Sequence, residues 1–417
     1  MRIQRVLVVC SLLAGCSGDL IGGGRTDGGG LDAFVPPGTD TGVVSDGGPG
    51  VDAFVPPVDG GMEPPIDAGP CSGTTLAGAI TTSTIPGASG STRAFATSGG
   101  GALVGWQSSG AITLQHIDAA GAAFGAPVSI AGDGLWGVAA SDSAYAALVS
   151  RGDQLVLVVT STTGTVTHEE RLMGNVPHDV TNNEWFGDLL RQGRLDWTGS
   201  QWITYSTVQR LWPDGIAHYG DTLRAFAADG TPASTFWGWG CSHSIDVRLA
   251  HGAGGDPTAV CSSDCYPGKG VFFMHDTQVF LDPSGNCMGF VAQHLGGVAP
   301  VSGGAWVGWT SAEGRGSQDP GLALVSGGSA GAPIWLSSDA GDASDMHLAP
   351  FMGGLVAAWN EGGSGHIVRL DAAGAVMGAI ETIDGGLLGG ADDFLVMANG
   401  DVGWAAGGTF ARLRACR

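Results

Sequence analysis

A run of glycine, small or apolar residues and then tryptophan returns four times in this chain: Gly101 to Trp106, Gly304 to Trp309, Gly354 to Trp359 and, one residue shorter, Gly400 to Trp404. Looser copies run from Ser143 to Leu148, Ser200 to Tyr205 and Asp256 to Cys261. Their last residues stand at 106, 148, 205, 261, 309, 359 and 404, between 42 and 57 residues apart. After each of the first six comes another apolar stretch and a glycine turn, clearest in Asp118-Ala119-Ala120-Gly121 and Asp371-Ala372-Ala373-Gly374. Asp229-Gly230, Asp282-Pro283-Ser284-Gly285, Gly164 and Gly328 are weaker copies. A period of this size built from short strands predicts an all-β fold, a seven-bladed β-propeller of four-stranded blades over residues 71–417. Two β-sandwich domains are the competing arrangement. No WD dipeptide, kelch pattern or Asp-box occurs, so the named propeller families are unmatched.

Composition agrees with short strands and tight turns. The 75 glycines among 417 residues far exceed the usual ~7% and count against long helices. The formal charge is −22, and Lys269 is the only lysine. Such a chain repels phosphate backbones, which excludes nucleic acid as a partner. The acidity otherwise serves solubility, and a monomer is expected.

The N-terminus has the three parts of an export signal. Arg2 and Arg5 precede the apolar run Val6 to Leu13, which is far too short to span a bilayer. It ends in Leu13-Ala14-Gly15-Cys16, which resembles the lipobox of bacterial lipoproteins. The resemblance covers only these first residues. It implies cleavage before Cys16, lipid on that thiol, and a membrane as partner. Ser17 in the following position implies the outer membrane of the cell envelope rather than the inner one. Loss of two arginines with residues 1–15 takes the charge from −22 to −24.

Residues 16–70 form a different kind of segment. The stretch is acidic, rich in Gly and Pro, and aperiodic. It repeats Asp32-Ala33-Phe34-Val35-Pro36-Pro37 as Asp52-Ala53-Phe54-Val55-Pro56-Pro57. It cannot bury enough apolar surface to offset its ordering entropy, so a disordered tether is expected.

Six cysteines remain once Cys10 leaves with the signal and Cys16 takes lipid. In an oxidising compartment an even number reads as disulfides. Cys71 opens the repeat domain and Cys416 nearly ends it. A last blade completed by an N-terminal strand, Thr74 to Thr82 beside Thr409 to Ala415, would bring those two together. Cys241, Cys261, Cys265 and Cys287 share one repeat and leave three pairings open. Zinc is the rival reading, because Cys241-x-His243 and Cys261-x3-Cys265 also suit ligation. No cofactor is expected, with zinc and calcium left open.

Insertions indicate where a ligand would bind. The distance from anchor to turn glycine grows from 15 residues in the first repeat to 25 in the third, 24 in the fourth and 19 in the fifth, and the stretch 164–205 is long as well. In a propeller these additions all emerge on one face, and loops longer than the fold requires carry function. They hold Trp185, Trp212, Tyr219, Asp264, Tyr266, Lys269 and Arg315, with Trp239 and His243 approaching from the preceding strand. Aromatic faces beside Asp and Arg suit a glycan or a protein partner, so the expected role is a non-enzymatic binding module.

Two alternatives stand beside it: a hydrolase or lyase with an axial His/Asp site, and an envelope scaffold. His178, His243, His294 and His347, with Asp246 and Asp345, fall where innermost strands would begin. Their irregular offsets lean against catalysis. Gly327-Gly328-Ser329-Ala330-Gly331 matches a nucleophile elbow by letter only, since it is expected in a β-hairpin rather than before a helix. Arg151-Gly152-Asp153 likewise reads as a hairpin turn.

Overall fold

The computed structural model describes residues 75–415, apart from 175–183, 188–190, 243–245, 253, 266, 282–293, 313–315, 338–340 and 390–392. Seven antiparallel sheets of four or five strands follow one another along the described chain, one per repeat. Blades 1 to 6 span 92–131, 134–173, 184–237, 247–281, 294–335 and 343–383. Blade 7 combines Leu395–Val396, Val402–Ala406 and Thr409–Leu413 with Ile80–Thr84 from the other end of the domain. The first strand of each blade touches that of the next, and the seventh touches the first. The ring closes, so this is a seven-bladed β-propeller and not a pair of sandwiches.

Local chemistry accounts for the recurring letters. Asp118 accepts the backbone N–H groups of Ala120 and Ala122, both at 2.9 Å, and Asp371 does the same for Ala373 and Ala375. These Asx turns reverse the chain between third and fourth strands, with Gly121 at φ 88° and Gly374 at φ 81°. The glycine that opens the anchor run has another reason. A Cβ on Gly304 would lie 1.9 Å from the Val325 carbonyl, and one on Gly354 2.1 Å from that of Leu370.

The anchors lie on the second strand of their blades, and the tryptophans pack toward the preceding blade. Trp106 joins the core between blades 7 and 1, Trp309 that between 4 and 5, Trp359 that between 5 and 6, and Trp404 that between 6 and 7. Leu148 and Tyr205, from the looser copies, instead face the following blade. Seven such cores, one per blade junction, hold most of the buried apolar side chains.

Three expectations need correction. The closing strand is Ile80–Thr84, paired from Ile80 with Leu413 to Thr84 with Thr409, rather than Thr74 to Thr82. Ala77–Ala79 make a single 3-10 turn before it. In blade 4 the turn between third and fourth strands lies at 274–276, since Gly270–Phe273 pairs with Thr277–Leu281. Gly285 is therefore not its turn glycine: the second-to-third connection is only 264–269, and the count to Gly285 also took in the third and fourth strands. In blade 3 the additional residues lengthen the ladder: Gln201–Leu211 pairs with Ala217–Ala227 out to Leu211 and Ala217. Pairing satisfies the added backbone groups, which an open loop would leave to water.

Of the cysteines, Cys241 is bonded to Cys261, with Cα atoms 6.4 Å apart. Cys265 is disulfide-bonded too. That first bridge removes both sulfurs from the zinc set. Cys16, Cys71, Cys287 and Cys416 lie outside the described residues, as does the whole tether. Arg151-Gly152-Asp153 does turn between two strands, with Gly152 at φ 64°. Gly327 and Gly328 likewise turn between Asp319–Ser326 and Ser329–Ala330.

Trp404 is 1% exposed and donates from Nε1 to the Leu387 carbonyl at 2.7 Å. Trp404→Ala is expected to cost about 3–5 kcal/mol through the cavity it leaves. A urea titration followed by circular dichroism checks this.

Candidate functional site

Two places on the ring gather chemically capable side chains, at opposite ends of the strands. The first is the lengthened hairpin of blade 3. Near its tip the Trp212 and Trp239 rings meet edge to face at 5.8 Å, and His218 lies 5.1 Å from Trp212. The Arg210 guanidinium sits 4.9 Å over Trp239, a cation–π arrangement. Glu184 ties the ledge together, pairing with Arg210 and, at 3.2 Å, with Arg224. Trp239 packs over Gly220, where a Cβ would come within 2.7 Å of the indole. Trp212 is 40% exposed.

Four of the residues expected from sequence therefore share this hairpin. Trp185 adds to its edge opposite Gln209, and Tyr219 pairs across from the same Gln209. Asp264 is buried and Lys269 half-buried, both in the connection from the second to the third strand of blade 4. His243, Tyr266 and Arg315 lie outside the described residues, as does His178. Behind the ledge Asp221 is fully buried, accepting from Tyr205 Oη at 3.1 Å and Trp237 Nε1 at 2.9 Å. Burial, then the charge and hydrogen bond of Asp221, hold the Tyr205 hydroxyl protonated well above its ordinary range.

The second place is an axial cup of about 1260 Å³ that draws on all seven blades. Its mouth is ringed by turns joining first to second strands, among them Ser98, Asp142, Gly199, Asp256 and Ser302. That is the face opposite the lengthened hairpin. On its wall His251 Nδ1 lies 2.8 Å from Asp196 Oδ2. The hydrogen bond to Asp196 raises the His251 pKa against the opposing effect of burial. Trp197, the next residue, also lines the cup and packs on Trp202 at 4.3 Å.

At its floor the cup reaches Arg93, Arg194 and Asp393. Arg194 Nε lies 2.8 Å from Asp393, which links blade 3 to the lead-in of blade 7 across the axis. Arg248 from blade 4 approaches the same carboxylate at 2.9 Å and also pairs with Asp246. Burial opposes ionisation of Asp393, yet Arg194, Arg248, His347 and Arg93 hold its carboxyl below the usual range. Sequence reasoning missed this group. The available signal was an arginine at the second position of a first strand, repeated as Arg93, Arg194 and Arg248.

The axial histidines behave differently from expectation. His347 is 2% exposed and stacks on Phe394 at 4.9 Å, behind the cup wall rather than on it. Desolvation drives its pKa down to about 4, with Asp393 and Asp345 opposing and Arg248 assisting. The ring is neutral and structural at ordinary pH. His294 is exposed at the start of its strand. The wall histidine is His251, which sits at the end of its strand rather than the beginning.

No protein-family model matches the chain, and no curated protein matches it in sequence. Solved structures similar to it include the Dos1 propeller, 12% identical over 75% of each chain with a TM-score of 0.44. YCF48 bound to D1 peptide is 10% identical over 81% of this chain and 96% of that one, also at 0.44. A PQQ-bound aldose sugar dehydrogenase from Streptomyces coelicolor is 17% identical over 67% and 92%, at 0.32. None of the three assigns a ligand or an activity to this chain.

The depressed pKa of His347 sets a pH dependence. Below pH 6.5 the unfolded chain protonates this ring, while the folded ring stays neutral to about pH 4, so stability is lost as pH falls through that window. His347→Phe, which keeps a ring against Phe394, is expected to flatten the loss. Urea midpoints measured between those two pH values check it.

Proposed function

We propose that this protein is an exported, lipid-anchored binding module that docks a protein partner through the blade 3 ledge. Anchoring rests on the lipobox-like run ending in Cys16 and on the acidic, aperiodic stretch behind it. One observation carries the docking surface: Trp212, Trp239 and Arg210 stand together at the tip of a hairpin longer than a blade requires. Tryptophan and arginine are the residues that dominate protein interfaces. The ledge projects from the face instead of enclosing a cavity, which favours a protein surface over a glycan. An envelope scaffold would use the same surface.

A second reading, a hydrolase or lyase with an axial His/Asp centre, draws support from the His251–Asp196 pair on the cup wall. Its Nδ1 is oriented by a carboxylate, as a general base requires. Turnover of ester, glycoside or uronide substrates, abolished in His251→Ala, would establish it.

Two measurements test the main reading. Cys16→Ser is expected to abolish incorporation of a labelled fatty acid and to move the chain out of the membrane fraction. A photo-crosslinker at the exposed Ile216 is expected to trap one defined protein in intact envelopes. Trp212→Ala with Trp239→Ala should weaken that partner's binding by about 30-fold, equivalent to ~2 kcal/mol. A glycan adduct, or a protein adduct indifferent to both substitutions, would count against the assignment.

A further inference from the structure

The axial cup lies on the face opposite the ledge, so it is spatially separate from the surface proposed above. Its chemistry is separate as well. Blades 5 and 6 contribute an apolar wall through Val298, Pro300, Leu348 and Pro350. Blades 3 and 4 contribute the polar wall of Asp196 and His251, and blades 1, 3 and 7 the floor.

Two ionic pairs inside the cup are matched, and Arg93 on the floor lies near enough to Asp393 to help hold it ionised. Arg194 holds Asp393 at 2.8 Å, and His251 holds Asp196 at 2.8 Å. An ion entering the cup would meet these paired groups rather than an open counter-charge, and separating a buried pair is costly. At the mouth Asp142 and Asp256 turn anions away. The same paired groups can still hydrogen-bond. With Nδ1 taken by Asp196, His251 keeps Nε2 for a ligand, and on the rim stands Thr198, whose hydroxyl also donates to the Gln201 carbonyl at 3.3 Å and accepts from its N–H at 3.2 Å. The cup therefore mixes donors and acceptors with an indole, Trp197, and an aliphatic wall.

We propose that this axial cup is a second ligand site, and that it takes a neutral saccharide. Sugar hydroxyls donate and accept at once, which suits a wall of alternating Asp, His and hydroxyl groups. The C–H face of a pyranose is apolar and packs on an indole or on aliphatic side chains. The cup offers both surfaces, and the sugar brings no charge that the matched pairs would have to accommodate.

Calorimetry of the full-length chain with glucose, galactose, maltose, cellobiose, N-acetylglucosamine and chitobiose tests this, with acetate and spermidine as charged probes. At least one neutral sugar is expected to bind with a sub-millimolar Kd. Trp197→Ala and His251→Asn should each weaken it by about tenfold, the loss of one ring contact or one hydrogen bond. Ser302→Trp, placed on an exposed turn at the mouth, should block binding without lowering the melting temperature, which separates occlusion from misfolding. Trp212→Ala on the ledge should leave sugar binding unchanged, so either site can fail alone. The proposal is overturned if none of these sugars binds, if binding survives all three cup substitutions, or if spermidine or acetate binds more tightly than any sugar.

Discussion

Packing between neighbouring blades is the interaction on which everything else in this molecule rests. A twisted four-stranded sheet has two apolar faces and cannot bury both by itself. Here each face meets the next blade, and seven cores result, from the one between blades 1 and 2 around to the one between 7 and 1. Ile80–Thr84 crosses from the start of the domain to pair with Thr409–Leu413, and Ile85 just beyond it enters that last core. Removal of that pairing would leave an exposed sheet edge and open the junction. The tether-side strand is thus a structural member of the ring.

The ring encloses an axis where apolar packing gives way to charge. Only 13% of the residues are charged, yet Arg93, Arg194, Arg248, Asp246 and Asp393 converge there. Arg194 and Arg248 reach a carboxylate that belongs to the far side of the ring. Charges removed from water must be matched and hydrogen-bonded, and Arg248 also donates to the Gly296 and Leu295 carbonyls at 2.6 and 3.0 Å. This brace sits at the cup's floor and leaves the cavity open toward the turns joining first to second strands. Two faces with unlike chemistry follow, an aromatic ledge at one end and an amphipathic cup at the other.

Much of the architecture was legible in the sequence because it depends on local, repeated chemistry. Asp-Ala-Ala-Gly makes an Asx turn wherever it occurs, and Gly304 is glycine because a carbonyl of the adjacent strand lies against it. Trp106, Trp309, Trp359 and Trp404 recur because each junction needs a large apolar side chain at the same place. The looser anchors were less faithful: Tyr205 and Leu148 lie in such cores but face the other way, since strand alternation lets a one-residue difference invert the side. The blade 4 turn was misplaced because Met274 and His275, at φ 49° and 62°, form it without a glycine or proline to announce it.

The candidate site divides along the same line. By itself the sequence determined the number of blades, the closure of the last one by an N-terminal strand and the clustering of Trp212, Tyr219 and Trp239, all consequences of periodicity and of residues close in the chain. It also contains the lipobox-like run at Cys16, whose meaning depends on no fold. Tertiary structure alone decided that Cys241 pairs with Cys261, that His347 is a buried neutral ring, and that His251 stands against Asp196. Each of those facts joins residues on different strands or blades, and Arg194 and Asp393, 199 positions apart, are the extreme case. Their proximity comes from closure of the ring, which no local pattern records.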